Sequence, residues 1–362
     1  MNRFSIIDWN IGGARYLEKA DDRDDVRRHL NQDLQSLIHS EERGHHGLPH
    51  VIALQEIVQY REPGMELVDL IDTKLFPRYN YYPFPLIDSD RLSSKGKWNK
   101  VQKLGGWRKG TYFAQGNAFL VRNDTPHCPV WDLSRPGRWP RRADGPERPR
   151  HYIEQVDLQS GLYFGTRDTE PRAALVAHFI LDSTGCGGKP LDVFVVNLHL
   201  TTLTMEREGI PEIDVRASQI RLAQLRVVFD GIVSRYNTWA REGFTDRGKK
   251  RRPERHETLN RCNPVWILVG DFNFTESSEE YEWIGRMNFL DAIPDKHGGT
   301  KSRGVGSVAT TTLDYIFAGP KFISFNPVIA QQAVERGLVE HRIEDSDHFP
   351  CLAAIPLDVP AK

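Results

Sequence analysis

The sequence predicts a layered α/β protein folded as one domain, and three observations carry that expectation. The run 265–269 (VWILV) is apolar without alternation, as in a strand covered on both faces. Strand-like segments recur from residue 4 to residue 357, which puts both ends of the chain in one core. Helical patterns fall between them, and neither a repeat nor a linker cuts the chain.

Taken in order, the expected strands are 4–10 (FSIIDWN), 50–57 (HVIALQEI), 117–122 (NAFLVR), 173–181 (AALVAHFIL) and 191–200 (LDVFVVNLHL). The series continues with 265–273 (VWILVGDFN), 313–319 (LDYIFAG) and 351–357 (CLAAIPL). Residues 23–40 read as a charged helix. Residues 215–236 read as a second, because Leu222, Leu225, Phe229, Ile232 and Tyr236 follow a 3-4-3-4 spacing that makes one apolar stripe. Asp214, just before it, is the expected N-cap.

The chain has 362 residues, 39% hydrophobic and 27% charged, enough to bury a large core in a soluble fold. Cys128, Cys186, Cys262 and Cys351 are far apart with no CxxC pair. That argues against a disulfide framework or a thiolate zinc site and for a reducing, cytoplasmic setting. The opening MNRFSIIDWN enters a strand at once, without a secretory signal pattern, and no apolar run is long enough for a membrane. Net charge is −1, so a polyanionic partner would be held by local patches. Three basic insertions are expected to interrupt the single domain 1–362, near 91–113, 134–150 and 246–255. The first mixes Lys and Arg with Trp98 and Trp107, the second is Arg- and Pro-rich around Trp139, and the third contains Lys249, Lys250, Arg251 and Arg252. Bases interleaved with aromatics suit phosphate contact and base stacking; a solvated loop is the plainer reading of a charge run.

The strand ends are polar. Asp271 and Asn273 stand two apart, as do Asn197 and His199, so each pair projects from one face of its strand. Asn10 closes the first strand, Glu56 follows Gln55 near the end of the second, Asp314 opens a strand, and Asp347-His348 precedes the last. One such ending reads as a turn; six in register with buried runs do not.

The ordered set WN…QE…NxH…GDFN…LDYIF…SDH resembles the endonuclease/exonuclease/phosphatase superfamily from Asn10 to His348. The resemblance implies a four-layer α/β/β/α sandwich, two mixed sheets packed face to face, with the active site at one edge. It also implies in-line hydrolysis of a phosphate ester with Mg²⁺, Mn²⁺ being a substitute. Glu56 would then be the main metal ligand, supported by Asn10 and by Asp347; Mg²⁺ keeps several waters, so few carboxylates suffice. Asp271 would take the proton of the attacking water and Asn273 would hold that water or a phosphoryl oxygen. His199 and Asn197 would donate to the non-bridging oxygens. His348 would sit on the phosphate with Asp314 fixing its tautomer. The residues leave open whether Asp271 or His348 is the base, with Asp271 preferred. Arg172 is either a further phosphate contact or the partner of a carboxylate. One departure is Gly12, where the abasic-site branch often has an acid or amide, which weakens a second ligand on that strand; Asp8 faces the same side.

Fold does not fix substrate. A nuclease is preferred, with DNA favoured over RNA and the basic insertions and Trp98, Trp107, Lys249, Lys250, Arg251 and Arg252 on the nucleic acid. A phosphatase or phosphodiesterase on a lipid or small phosphorylated molecule is the alternative, and a catalytically inactive scaffold the third reading.

Overall fold

The structure, a computed structural model, describes residues 3–12, 23–43, 47–88, 111–125, 153–158, 172–182, 190–203, 205–235, 237, 244–246, 249–251, 264–293, 301–302, 309–319, 328–329, 348 and 350–356. Along the chain come β1 (Arg3–Asn10), α1 (Arg23–Arg43), β2 (Val51–Arg61), β3 (Val68–Asp69), β4 (Tyr79–Asp88), β5 (Tyr112–Arg122), β6 (Ile153–Asp157), β7 (Ala173–Asp182) and β8 (Pro190–His199). Helix α2 (Pro211–Arg226) continues into a π-helical stretch, Val227–Val233. A short hairpin β9 (Phe244–Asp246) and β10 (Lys249–Arg251) follows, then β11 (Val265–Asp271), α3 (Glu279–Arg286) and β12 (Leu290–Asp291). The rest are β13 (Lys301–Ser302), β14 (Ala309–Thr311), β15 (Asp314–Gly319), β16 (Val328–Ile329) and β17 (Cys351–Pro356).

Two mixed sheets form. The first runs β16-β17-β1-β2-β5-β4, with β3 also on β2; the second runs β12-β15-β11-β8-β7-β6. Parallel pairs are β1 with β2 and β8 with β11, and the remaining neighbours in both sheets are antiparallel. Arg3 pairs with Pro356, so the two ends of the sequence do share a core.

Alternation assigns each strand's faces. Phe4, Ile6, Val51, Ala53, Phe119 and Val121 of the first sheet meet Val193, Val195, Val265, Ile267, Val269 and Ile316 of the second. On the outer face of the first sheet, Leu30, Leu34, Leu37 and Ile38 of α1 cover Ile7, Trp9, Ile52 and Leu54. On the outer face of the second, Leu225, Val228, Phe229 and Ile232, with Ile284 of α3, cover Val196, Leu198, Trp266 and Leu268. That makes the four layers. Burial of each such side chain contributes about 1.5–3 kcal/mol, which explains the unalternating run in β11: both of its faces are interior.

Several sequence expectations shift. β4, not among the expected strands, contains Pro83 and Pro85; it is an edge strand beside β5 only, where proline is tolerated. β6, another edge, is short and charged, and α3 spans eight residues capped by the Ser278 side chain. Helix α2 starts at Pro211, a residue suited to a first turn, not after Asp214. The Asp214 carboxylate instead accepts the Arg207 N–H at 2.8 Å. Tyr112 and Phe113, expected at the end of the first insertion, belong to β5. Residues 89–110 and 134–150, with Trp98, Trp107 and Trp139, lie outside the described residues, as do Tyr236, Arg252 and Asp347. The third insertion contributes a two-stranded backbone hairpin containing Lys249, Lys250 and Arg251.

At the end of the first sheet remote from the polar strand ends, His50 Nδ1 accepts the Ser5 N–H at 3.1 Å, and its ring stacks on Phe4 with centroids 5.0 Å apart. Burial, reinforced by the Arg122 guanidinium, lowers the imidazole to about 4. The unfolded chain, with His50 near its ordinary 6.5, binds the proton first. Stability from this site is therefore complete above pH 6.5 and lost as pH falls towards 4, on the order of 3 kcal/mol in all. Replacing His50 by Asn, whose Oδ1 can accept the same N–H, is expected to flatten the pH dependence of the urea midpoint across that window. An unchanged slope would assign the dependence to other groups.

Candidate active site

The site is built at one edge of the sandwich, where β1, β2, β8, β11 and β15 end or begin. Asp271 pairs in register with His199 on one side and with Asp314 on the other. Gly270 makes this possible: its φ is +140°, and a Cβ there would lie 1.8 Å from the Leu198 carbonyl oxygen. No other residue fits so close an approach.

Glu56 reaches the site through a bulge. Leu54 pairs with Ala118 and Ile57 with Gly116, so Gln55 and Glu56 together oppose Asn117. Glu56 has φ +57°, and Asn273 has φ +54°. Left-handed backbone at a non-glycine costs on the order of 1–3 kcal/mol and persists where the surroundings over-determine it, commonly at functional sites.

Two polar layers sit above the apolar interior. In the deeper one, Gln55 Nε2 donates to Asp8 Oδ1 at 2.8 Å and to Asn197 Oδ1 at 2.9 Å, bridging the sheets. Asn197 donates both amide hydrogens to backbone, Leu54 O at 3.1 Å and Ala118 O at 3.0 Å. Its expected hydrogen bond to a phosphoryl oxygen is therefore replaced by a structural role: it is fully buried with its donors committed. Burial first, then the Asp314 carboxylate, push Asp8 well above the usual carboxylate range, against the bond from Gln55. Asp8 is a fully buried carboxyl below the site and not a ligand on its surface.

The upper layer holds the chemistry. Asp271 Oδ2 accepts Asn10 Nδ2 at 2.9 Å and Oδ1 accepts the Asn273 N–H at 2.9 Å. The same Oδ2 lies 3.7 Å from His199 Nε2 and 3.8 Å from His348 Nε2. His348 Nδ1 stands 2.9 Å from Asp314 Oδ2, which assigns the proton to Nδ1 and aims Nε2 into the site. Glu56 Oε1 is 3.5 Å from Asn10 Nδ2 and 3.9 Å from His199 Nε2. Asn273 Nδ2 donates to Leu200 O at 3.0 Å, so its carboxamide fastens the end of β8. Arg172 precedes β7 and is buried; Leu175 pairs with Asn197, which places Arg172 at the His199 end of the second sheet.

The residues fit a hard divalent cation. Glu56, with 21% side-chain exposure against 2% for Asp271 and 1% for Asp314, is the most open of the three carboxylates. Asn10 Oδ1 accepts the Gly12 N–H at 3.0 Å, and a carboxamide oxygen has a second lone pair to offer. Ligand atoms of Asp271, Asp314 and His348 lie within 4.8 Å of one another, a second acidic-imidazole grouping.

The sequence profile of the Endonuclease/Exonuclease/phosphatase family matches residues 9–348. The chain belongs to this family. The matched span begins and ends on residues that touch, since the Trp9 indole donates to the His348 carbonyl at 3.1 Å. Members of the family are hydrolytic, divalent-metal-dependent phosphoesterases. A family protein from Bacteroides thetaiotaomicron superposes with TM-score 0.50 at 14% identity, covering 100% of this chain and 98% of its own. One from Leptotrichia buccalis gives 0.50 at 12% identity, covering 98% and 100%. At such identities the likeness shows the shared sandwich fold. No curated protein matches the chain in sequence. No helix among the described residues is long and apolar enough to cross a membrane.

Two contributors lie beyond the sequence pattern. For Asp8 the sequence shows only the side it faces, and nothing in it marks Arg207, whose guanidinium donates to the Asn273 carbonyl at 3.0 Å.

Proposed function

We propose that the chain is a Mg²⁺-dependent nuclease that hydrolyses phosphodiester bonds, DNA in preference to RNA, by direct attack of water. The observation that carries this reading is Asp271 Oδ2, a carboxylate oxygen set between His199 Nε2 and His348 Nε2 beside Glu56. Asp271 is oriented by two donors and takes the proton of the attacking water. His199 and His348 donate to the phosphoryl oxygens as negative charge grows there; His348 does so from Nε2 as the imidazolium, the form that Asp314 favours by accepting from Nδ1. Glu56 and Asn10, with Asp347, would hold the ion; when bound it neutralises charge on the scissile phosphate and leaving oxygen.

The choice of nucleic acid over a small phosphoester rests on the basic segments: Trp98 and Trp107 to stack on bases, and Lys249, Lys250, Arg251 and Arg252, with Arg172 at the site edge, to meet phosphates. The decisive experiment is nicking of supercoiled plasmid in Mg²⁺, with EDTA as control. Metal-dependent nicking is the expected result. A folded protein that leaves plasmid intact and cleaves RNA or a small phosphate ester would replace the DNA assignment.

A further inference from the structure

Residues 200–203 and 205–210, between β8 and α2, are held by groups the chemistry above does not use. Arg221, buried in α2, donates to Glu280 Oε1 at 2.7 Å, to Glu206 Oε1 at 2.6 Å and to Thr201 O at 3.2 Å. Glu206 Oε2 in turn accepts Thr202 Oγ1 and the Leu203 N–H, both at 3.0 Å. Gln224 clasps Thr201 through the backbone N–H at 3.1 Å and the hydroxyl at 2.9 Å. Side chains of Arg221, Glu206 and Glu280 are 5%, 3% and 1% exposed, so this is an interior ionic network, and its members are each paired. A partner removed from such a network leaves a buried charge uncompensated, which makes the loop conformation stiff.

That stiffness is used. Met205 and Arg207 both have positive φ, +67° and +64°, and the Asp214 carboxylate pins the Arg207 N–H. The result delivers the Arg207 guanidinium onto the Asn273 carbonyl at 3.0 Å, with Glu206 Oε1 at 3.4 Å beside it. Asn273 is itself in the left-handed region, and its N–H is one of the two donors that orient Asp271. Its side chain closes the circuit by donating to Leu200 O.

We propose that Arg207 is a positioning residue for the hydrolytic site: it locks the strained peptide at Asn273 and so fixes the carboxylate of Asp271. The Arg221–Glu206–Glu280 network exists to present it. The rate consequence rests on the reading of Asp271 as the proton acceptor; the structural consequence does not.

The test pairs two measurements on the full chain. Amide hydrogen exchange over residues 271–275 is compared between wild type, Arg207→Ala and Arg207→Lys, alongside turnover of bis(4-nitrophenyl) phosphate in Mg²⁺. Arg207→Ala is expected to speed exchange at 271–275 with the melting temperature held. It should also lower kcat about 10- to 100-fold, the scale of a misplacement near 1 Å, with KM little changed. Arg207→Lys, which keeps one donor, should recover part of both. Unchanged exchange in Arg207→Ala overturns the proposal whatever the activity. Faster exchange with kcat intact overturns the catalytic consequence. A global loss of protection in Arg207→Ala, with no recovery in Arg207→Lys, makes the residue merely structural. If wild type fails to turn over the small ester, plasmid nicking supplies the rate readout, and local exchange still decides whether Arg207 holds Asn273.

Discussion

Asp271→Asn is expected to lower the rate of phosphodiester cleavage by about 10³-fold or more, within the range general-base removal costs, while the protein stays folded. The substitution keeps size and shape, and β11 is otherwise apolar and buried on both faces. What it removes is the acceptor between two imidazoles and below Asn10. A strand-end position suggests a solvent-facing carboxylate; the structure instead has Asp271 2% exposed, so the substitution also lowers the melting temperature while leaving the chain folded. A buried carboxylate with fixed donors needs no reorganisation when the proton arrives, and its replacement by an amide turns an acceptor into a donor facing the Asn10 amide at 2.9 Å. Single-turnover rates and a thermal melt check both halves. A rate within tenfold of wild type would transfer the base role to His348, the alternative left open by the sequence.

What was legible came from faces. In a strand, residues two apart share a side, which pairs Asp271 with Asn273 and Asn197 with His199; it is the family resemblance that gathers Asn10, His199, Asp271 and Asp314 into one site, and the register sets Asp271 between His199 and Asp314. Depth was not legible. Asn197 and His199 share a face, yet the step of about 6–7 Å between them separates a committed inter-sheet brace from a group at the site. Adjacent residues cannot both point inward from a regular strand, and Gln55 and Glu56 do so only through the bulge opposite Asn117, which no local pattern announces. β4 was not legible either: it contains two prolines, which only its edge position tolerates. Arg207 had no signal, because its role depends on an ionic network assembled from three separate segments.

Glu56→Gln should separate binding from chemistry. The amide keeps length and one oxygen but loses the charge that a divalent cation requires, and the neighbouring carboxylates, 1% and 2% exposed, are less open to replace it. Loss of an outer-shell partner already costs metal affinity about 10- to 100-fold, so a direct ligand should cost at least that. The free-Mn²⁺ signal in electron paramagnetic resonance reads this without any substrate, and the metal concentration for half-maximal cleavage should rise in step. Stability should hold, because the left-handed backbone at residue 56 is imposed by the bulge and is no worse for Gln than for Glu. Unaltered Mn²⁺ affinity would move the ion to the grouping of Asp271, Asp314 and His348, whose ligand atoms lie within 4.8 Å of one another. In that case Asp271 could not serve as the proton acceptor while ligating, and Asp271→Asn would lose Mn²⁺ and activity together. The two variants therefore decide jointly: separate losses assign Glu56 to the metal and Asp271 to the water, whereas a shared loss at Asp271 assigns that residue to the metal.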